Sequence, residues 1–200
     1  SLVQNKSFQK NKIKDSSETR TYSYQSMAST SRNVRGIKFE DVLSFGPIGT
    51  HKATIVWLHD IGETSANSTR FARQMGLKNI KWICPTAPTR PITILGGMET
   101  NAWFDIAEIS ENMQDDEGSL NHAALSIANL LSEEPPNIMI GIGGTGLGAA
   151  QALYLASKGC YDTNQRLQIN PRVVIGLNGW LPVWRSLQNN IASNPGGRDR

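Results

Sequence analysis

Ile140-Gly141-Ile142-Gly143-Gly144-Thr145-Gly146-Leu147-Gly148-Ala149-Ala150 joins two periodicities. Ahead of it, Asn137 to Gly144 has the length and apolar content of a strand. Behind it, residues 149–156 (Ala-Ala-Gln-Ala-Leu-Tyr-Leu-Ala) read as a helix rich in small residues. Two chemistries want glycines at such a junction. One is the nucleophile elbow, Gly-x-Ser-x-Gly, in which a sharp turn lifts a serine above a sheet. The frame Gly144-Thr145-Gly146-Leu147-Gly148 fits it, except that Gly146 stands at the centre. The other is the dinucleotide fingerprint Gly-x-Gly-x-x-Gly, which Gly141, Gly143 and Gly146 match. That motif also wants an acid at the end of the next strand, where this chain has Leu177-Asn178-Gly179. A dinucleotide-binding module is therefore the second reading.

Outward from the junction, Ala53-Thr54-Ile55-Val56-Trp57-Leu58-His59 is a nearly unbroken apolar run, as in a strand buried on both faces. Ile80 to Pro85 and Val173 to Leu177 read as further interior strands, and residues 37–43 as an edge strand. Residues 60–68 read as a loop, and Thr69 to Met75 as a short helix closed by Gly76. Leu120, Ala123, Ala124, Ile127, Leu130 and Leu131 recur at helical spacing across residues 119–132. Residues 85–118 form a long excursion punctuated by Pro85, Pro88, Pro91, Gly96 and Gly97, and such excursions usually serve function. Strands alternating with helices predict an α/β domain: a mostly parallel sheet with helices on both faces. Ligands should then meet the carboxyl ends of the strands, at His59–Glu63, Gly143–Gly148 and Asn178–Pro182.

The chain has 200 residues and 38% apolar content, enough for one domain. Residues 1–34 are polar and basic, which predicts a disordered tail. Met27 is a candidate natural start. Residues 35–192 form the expected domain and 193–200 a flexible stub. Net charge is +3, and much of the excess lies in the tail and its border. Dispersed among acids, these charges read as solvated rather than as a nucleic-acid or membrane contact. No apolar run approaches the ~18 residues of a membrane span. Two cysteines, Cys84 and Cys160, make no disulfide framework, so a cytoplasmic setting fits, with the nucleus as the alternative. Asp115-Asp116-Glu117 precedes a helix and suits its positive end. No metal site is read there, and no cofactor is expected.

Five stretches, in order, carry a resemblance. They are Ala53 to His59, Lys81-Trp82-Ile83-Cys84-Pro85-Thr86-Ala87-Pro88, Ala102-Trp103-Phe104-Asp105, Gly141-Ile142-Gly143-Gly144 and Gly179-Trp180-Leu181-Pro182. Together they resemble the acyl-protein thioesterase (phospholipase/carboxylesterase) family, its plant branch above all, over about Thr50 to Ile191. The resemblance implies an α/β-hydrolase fold and a Ser-Asp-His triad acting on acylated proteins or small esters. It places Ile61 and Leu147 as backbone donors of an oxyanion hole, and Trp103 and Trp180 beside an acyl pocket.

The chain departs from that family in four ways. Gly146 occupies the nucleophile position and has no attacking oxygen, and Thr145 is expected to point away from the apex. The histidines, His51, His59 and His122, all precede the elbow, and His59 is expected to brace its loop rather than act as base. Asp162 and Asp199 are the only acids after the elbow, and neither follows a core strand. The sheet is therefore expected to lack its C-terminal strands, leaving Val173–Leu177 as an apolar edge prone to self-association. Finally, Asp60 follows His59 where the family usually has glycine, and it would oppose developing negative charge if it points inward. The expectation is a hydrolase-family chain that does not hydrolyse.

Overall fold

The structure is a computed structural model that describes residues 36–161 and 169–193. The expected tail (1–34), Met27, Asp162, Asp199 and the stub from residue 194 onward lie outside the described residues.

A five-stranded sheet has the order β1-β3-β2-β6-β7. Its strands are β1 (Asp41–Phe45), β2 (Ala53–Leu58), β3 (Ile80–Thr86), β6 (Met139–Thr145) and β7 (Val173–Leu177). All pairs are parallel except β1 with β3. Helix α1 (Ser65–Gln74) covers one face, where Ala72 and Phe71 pack against Ile55, Trp57, Trp82 and Cys84. Helices α2 (Glu117–Leu131) and α3 (Leu147–Tyr161) cover the other, burying Val56, Leu58, Ile83 and Ile142 with Ala124, Ile127 and Tyr154. The alternation of β2 side chains between these two cores is why its sequence is apolar throughout. Among the described residues no helix is long and apolar enough to cross a membrane.

Several boundaries differ from the sequence reading. Helix α1 begins at Ser65, not Thr69, because Thr64 caps it and exchanges hydrogen bonds with Asn67 in a capping box. Strand β3 continues through Pro85 to Thr86, held there by β1, with Val42 opposite Pro85, although the β2 ladder stops at Ile83. The excursion contains a hairpin, β4 (Thr89–Ile92) with β5 (Met98–Asn101), whose residues Thr-Arg-Pro-Ile and Met-Glu-Thr-Asn carry no alternation to betray it. The edge strand is Asp41–Phe45 rather than residues 37–43. Helix α4 (Trp184–Ser193) was not anticipated. Strand β7 does end the described sheet, with Val173 49%, Val174 37% and Leu177 38% exposed.

Candidate active-site cleft

The centre of the cleft is the turn from β6 into α3. Gly146 takes φ +52°, donates its N–H to the Leu177 carbonyl at 2.9 Å and accepts from Ala150 N–H at 3.1 Å. Its glycine neighbours are required by packing. A Cβ on Gly144 would stand 2.6 Å from the Leu58 carbonyl oxygen, and one on Gly148 would stand 2.3 Å from that same atom. The elbow thus crosses the end of β2 at backbone contact.

His59, at the end of β2, is fully buried. Its Nε2 faces the Ala87 N–H at 3.0 Å and must accept, so the ring proton lies on Nδ1 and is donated to the Asp60 carbonyl at 2.6 Å. Burial lowers the pKa of His59, only partly countered by the Asp60 carbonyl and the Glu63 charge. The ring is therefore neutral and saturated with partners, with no lone pair free to take a proton. Trp103 donates its indole N–H to the His59 carbonyl at 2.9 Å and stacks obliquely on the imidazole. It is wholly buried, forms part of this brace, and does not border the large cleft described below.

Asp60 turns inward. Its Oδ1 accepts from Ile61 N at 2.7 Å and from Leu147 N at 2.9 Å. These are the two backbone donors singled out from the sequence, and they converge on one carboxylate oxygen. A Cβ built on Gly146 would lie 1.9 Å from Oδ1, 2.0 Å from Cγ and 2.2 Å from Oδ2. The carboxylate therefore occupies the volume in which any side chain of residue 146 would stand. Among the described residues Oδ2 accepts no hydrogen bond.

Beside the apex lies a cleft of about 860 Å³, bordered by Ile109, Met113, Asp115, Gly179, Trp180 and Trp184. Gly179 ties it to the elbow, because a Cβ there would stand 3.1 Å from the Gly146 carbonyl oxygen. Trp180 lines the cleft and meets Phe104 edge-on at 6.0 Å. Trp184 is 44% exposed at the cleft, with the Arg185 guanidinium over its ring. The wall between β7 and α4 is strained: Asn178 and Val183 have φ +55° and +51°. Asp115 Oδ2 holds that wall by accepting from Val183 N at 2.7 Å. Asp116 caps α2 through Ser119 N.

Of the residues singled out from the sequence, Gly146, Ile61 and Leu147 lie against Asp60, while Trp180 borders the cleft. The sequence did not foresee the part Asp115 plays in the cleft wall, which depends on a loop conformation that no local pattern encodes. The signal for Asp60 was available, since the two departures at residues 60 and 146 are complementary in volume.

A family model described as phospholipase/carboxylesterase matches residues 45–196. Acyl-protein thioesterase 1 of Schizosaccharomyces pombe is 33% identical over 113 residues, 54% of this chain and 50% of that protein. Acyl-protein thioesterase 1 homolog 1 of Dictyostelium discoideum is 30% identical over 144 residues, 68% of this chain and 61% of its own length. The chain thus spans half to about three-fifths of these relatives. Among solved structures, Zea mays acyl-protein thioesterase 2 superposes with TM-score 0.73 at 43% identity, covering 78% of this chain and 69% of that one. Arabidopsis thaliana SOBER1 shares the fold, with TM-score 0.59 at 23% identity over 70% of this chain and 67% of that one.

Proposed function

The chain belongs to the phospholipase/carboxylesterase family of α/β-hydrolases, and on that premise we propose that it holds the apolar part of an acylated protein or small ester without cleaving it. The observation that carries the proposal is the Asp60 carboxylate, seated on Ile61 N and Leu147 N over an apex residue with no side chain. In an acyl-transfer site, two such donors would stabilise a developing oxyanion, and removing even one costs about 10²–10³ in turnover. Here both are already committed to a resident anion. Gly146 supplies no nucleophile, and loss of a triad member typically costs on the order of 10⁴–10⁶ in rate. On this reading the chain is a non-hydrolysing member of the family's plant branch, placed in the cytoplasm. Strand β7, with its exposed Val173 and Val174, is the proposed route of self-association.

Two assays test this. A fluorophosphonate probe and a chromogenic thioester should give neither covalent labelling nor turnover above buffer with the purified chain. Labelling at any residue would overturn the reading. Titration with NAD addresses the second reading, and saturable binding would favour it. Size exclusion across a concentration series addresses self-association.

A further inference from the structure

At the amino ends of the parallel strands, the segments that enter β2, β3, β6 and β7 lie side by side. Ile48 N–H and Gly49 N–H donate to the Lys78 carbonyl at 2.8 and 3.1 Å, and Lys52 N–H donates to the Asn79 carbonyl at 3.0 Å. Met139 N–H reaches the Lys52 carbonyl at 3.2 Å, and Arg172 N–H reaches the Ile140 carbonyl at 2.7 Å. These bonds set Ile48, Leu77 and Met139 along one edge, with Met75 at the C-cap of α1 two residues before Leu77. All four are between 44% and 65% exposed. Apolar side chains scattered singly need no explanation, but four on adjoining segments do. The charges among them lean one way. Lys52, Lys78 and Arg172 are exposed, and among the described residues none has a carboxylate within ion-pair range. The acids of these segments are Glu133 and Glu134, and Glu134 is consumed by Lys81 and Thr54.

We propose that this edge docks on an anionic lipid bilayer, its four apolar side chains entering the head-group layer while Lys52, Lys78 and Arg172 meet the lipid charges. Interfacial binding grows with the apolar area buried and with cations held near an anionic surface. Flexible lysines and methionines present no fixed shape, which suits a fluid surface better than a rigid partner. The cleft residues Asn178, Gly179 and Trp180 follow the opposite end of β7, so a docked chain keeps its cleft facing water.

The test sediments the full chain with vesicles of phosphatidylcholine alone and of phosphatidylcholine mixed with phosphatidylserine. Binding is expected to the anionic vesicles and should weaken as salt rises. Each cation near the surface is worth roughly fivefold in partition, so Lys52→Ser with Lys78→Ser should weaken it by about twenty-five-fold. Ile48→Ser with Leu77→Ser should weaken it by about tenfold. Orientation is read in the unaltered chain, from Trp184, the exposed tryptophan at the cleft. Its emission should stay open to aqueous acrylamide on the vesicles and escape quenching by brominated lipid, and the reverse pattern would overturn the proposal even if a variant failed to fold. Equal binding to neutral vesicles, or binding to neither, would overturn it too. So would binding that both double variants leave intact, which would hand the contact to another basic segment such as residues 1–34. Capture of polyglutamate without lipid, undiminished by Ile48→Ser with Leu77→Ser, would assign the edge to an acidic protein instead.

Discussion

Asp60 and Gly146 share one volume: the Asp60 carboxyl group lies 1.9–2.2 Å from where a Cβ of residue 146 would be. Residue 146 cannot gain a side chain without displacing the Asp60 carboxylate. Gly146→Ser must hold a non-glycine residue at φ +52°, which costs about 1–2 kcal/mol. It must also expel a carboxylate that holds two charge-assisted hydrogen bonds, together worth several times that of a neutral one. We expect it to destabilise the chain by about 2–5 kcal/mol. With Asp60→Gly beside it, the second cost should vanish, so the two changes should be sub-additive by about 1–3 kcal/mol. Urea denaturation of the four members of the cycle measures this, and strict additivity would show that the two sites do not share their space.

His59 makes stability depend on pH in a predictable direction. Its pKa in the folded chain is lowered from 6.5, first by burial. The unfolded chain therefore binds the proton more readily than the folded one. Stability from this group is complete above the unfolded pKa of about 6.5 and falls as pH drops from there through the folded value. The melting temperature should decline on going from pH 7.5 to about 5, and His59→Gln should flatten part of that slope even if it lowers the plateau. An unchanged slope in the variant would assign the acid sensitivity elsewhere.

Much of this was legible because the physics was local. The Ala53–His59 run had to be interior, since Ile55 and Trp57 face one core while Val56 and Leu58 face the other. Gly144 and Gly148 announced a close crossing, and the crossing is there. What was missed depended on partners distant in sequence. The β4–β5 hairpin has no alternating pattern, and its Asn101 is held by the Ala87 carbonyl instead. Trp184 and Asp115 both border the cleft, and Asp115 accepts from the N–H of Val183, whose backbone conformation its own side chain disfavours. The inward turn of Asp60 needed two departures, 86 positions apart (146 − 60), to be read as one.

Cys84 should be inert in the folded chain. It is completely buried, and burial pushes its thiol pKa up to about 12, so almost no thiolate exists at neutral pH. Iodoacetamide at pH 8 should leave the Cys84 peptide unmodified until denaturant is added, as read by mass spectrometry. Rapid native-state alkylation there would mean that the sheet core opens readily.

Val183 offers a test of backbone strain uncoupled from packing. A β-branched residue at φ +51° is unfavourable, and it is held by the Asp115 carboxylate on its N–H. Replacement by Ala or by Gly removes the same packing to within one methyl group, but only glycine is at ease at positive φ. Val183→Gly should therefore be more stable than Val183→Ala by about 1 kcal/mol, the reverse of the usual order. If Val183→Ala proves the more stable, the wall of the cleft is not in the conformation described.

Glu134 anchors the opposite end of the sheet. Its side chain is only 3% exposed, yet it pairs with Lys81 Nζ at 2.5 Å and accepts the Thr54 hydroxyl at 2.6 Å. Thr54 is itself fully buried and meets His51 Nε2 at 2.9 Å. Because Thr54 donates to Glu134, its oxygen accepts from His51, so one carboxylate fixes the direction of both bonds. Glu134→Ala would leave the ammonium and the buried hydroxyl without it. Lys81 is 24% exposed and can recover part of its loss from water, so the cost should lie near the lower end of the 3–5 kcal/mol for broken buried pairs, about 3 kcal/mol. Glu134→Gln keeps an acceptor for Thr54 and removes only the charge, and should cost about half as much. Chemical denaturation of both variants tests the ordering. Were Glu134→Gln as damaging as Glu134→Ala, the charge on Lys81 and not the hydrogen bond to Thr54 would dominate this anchor.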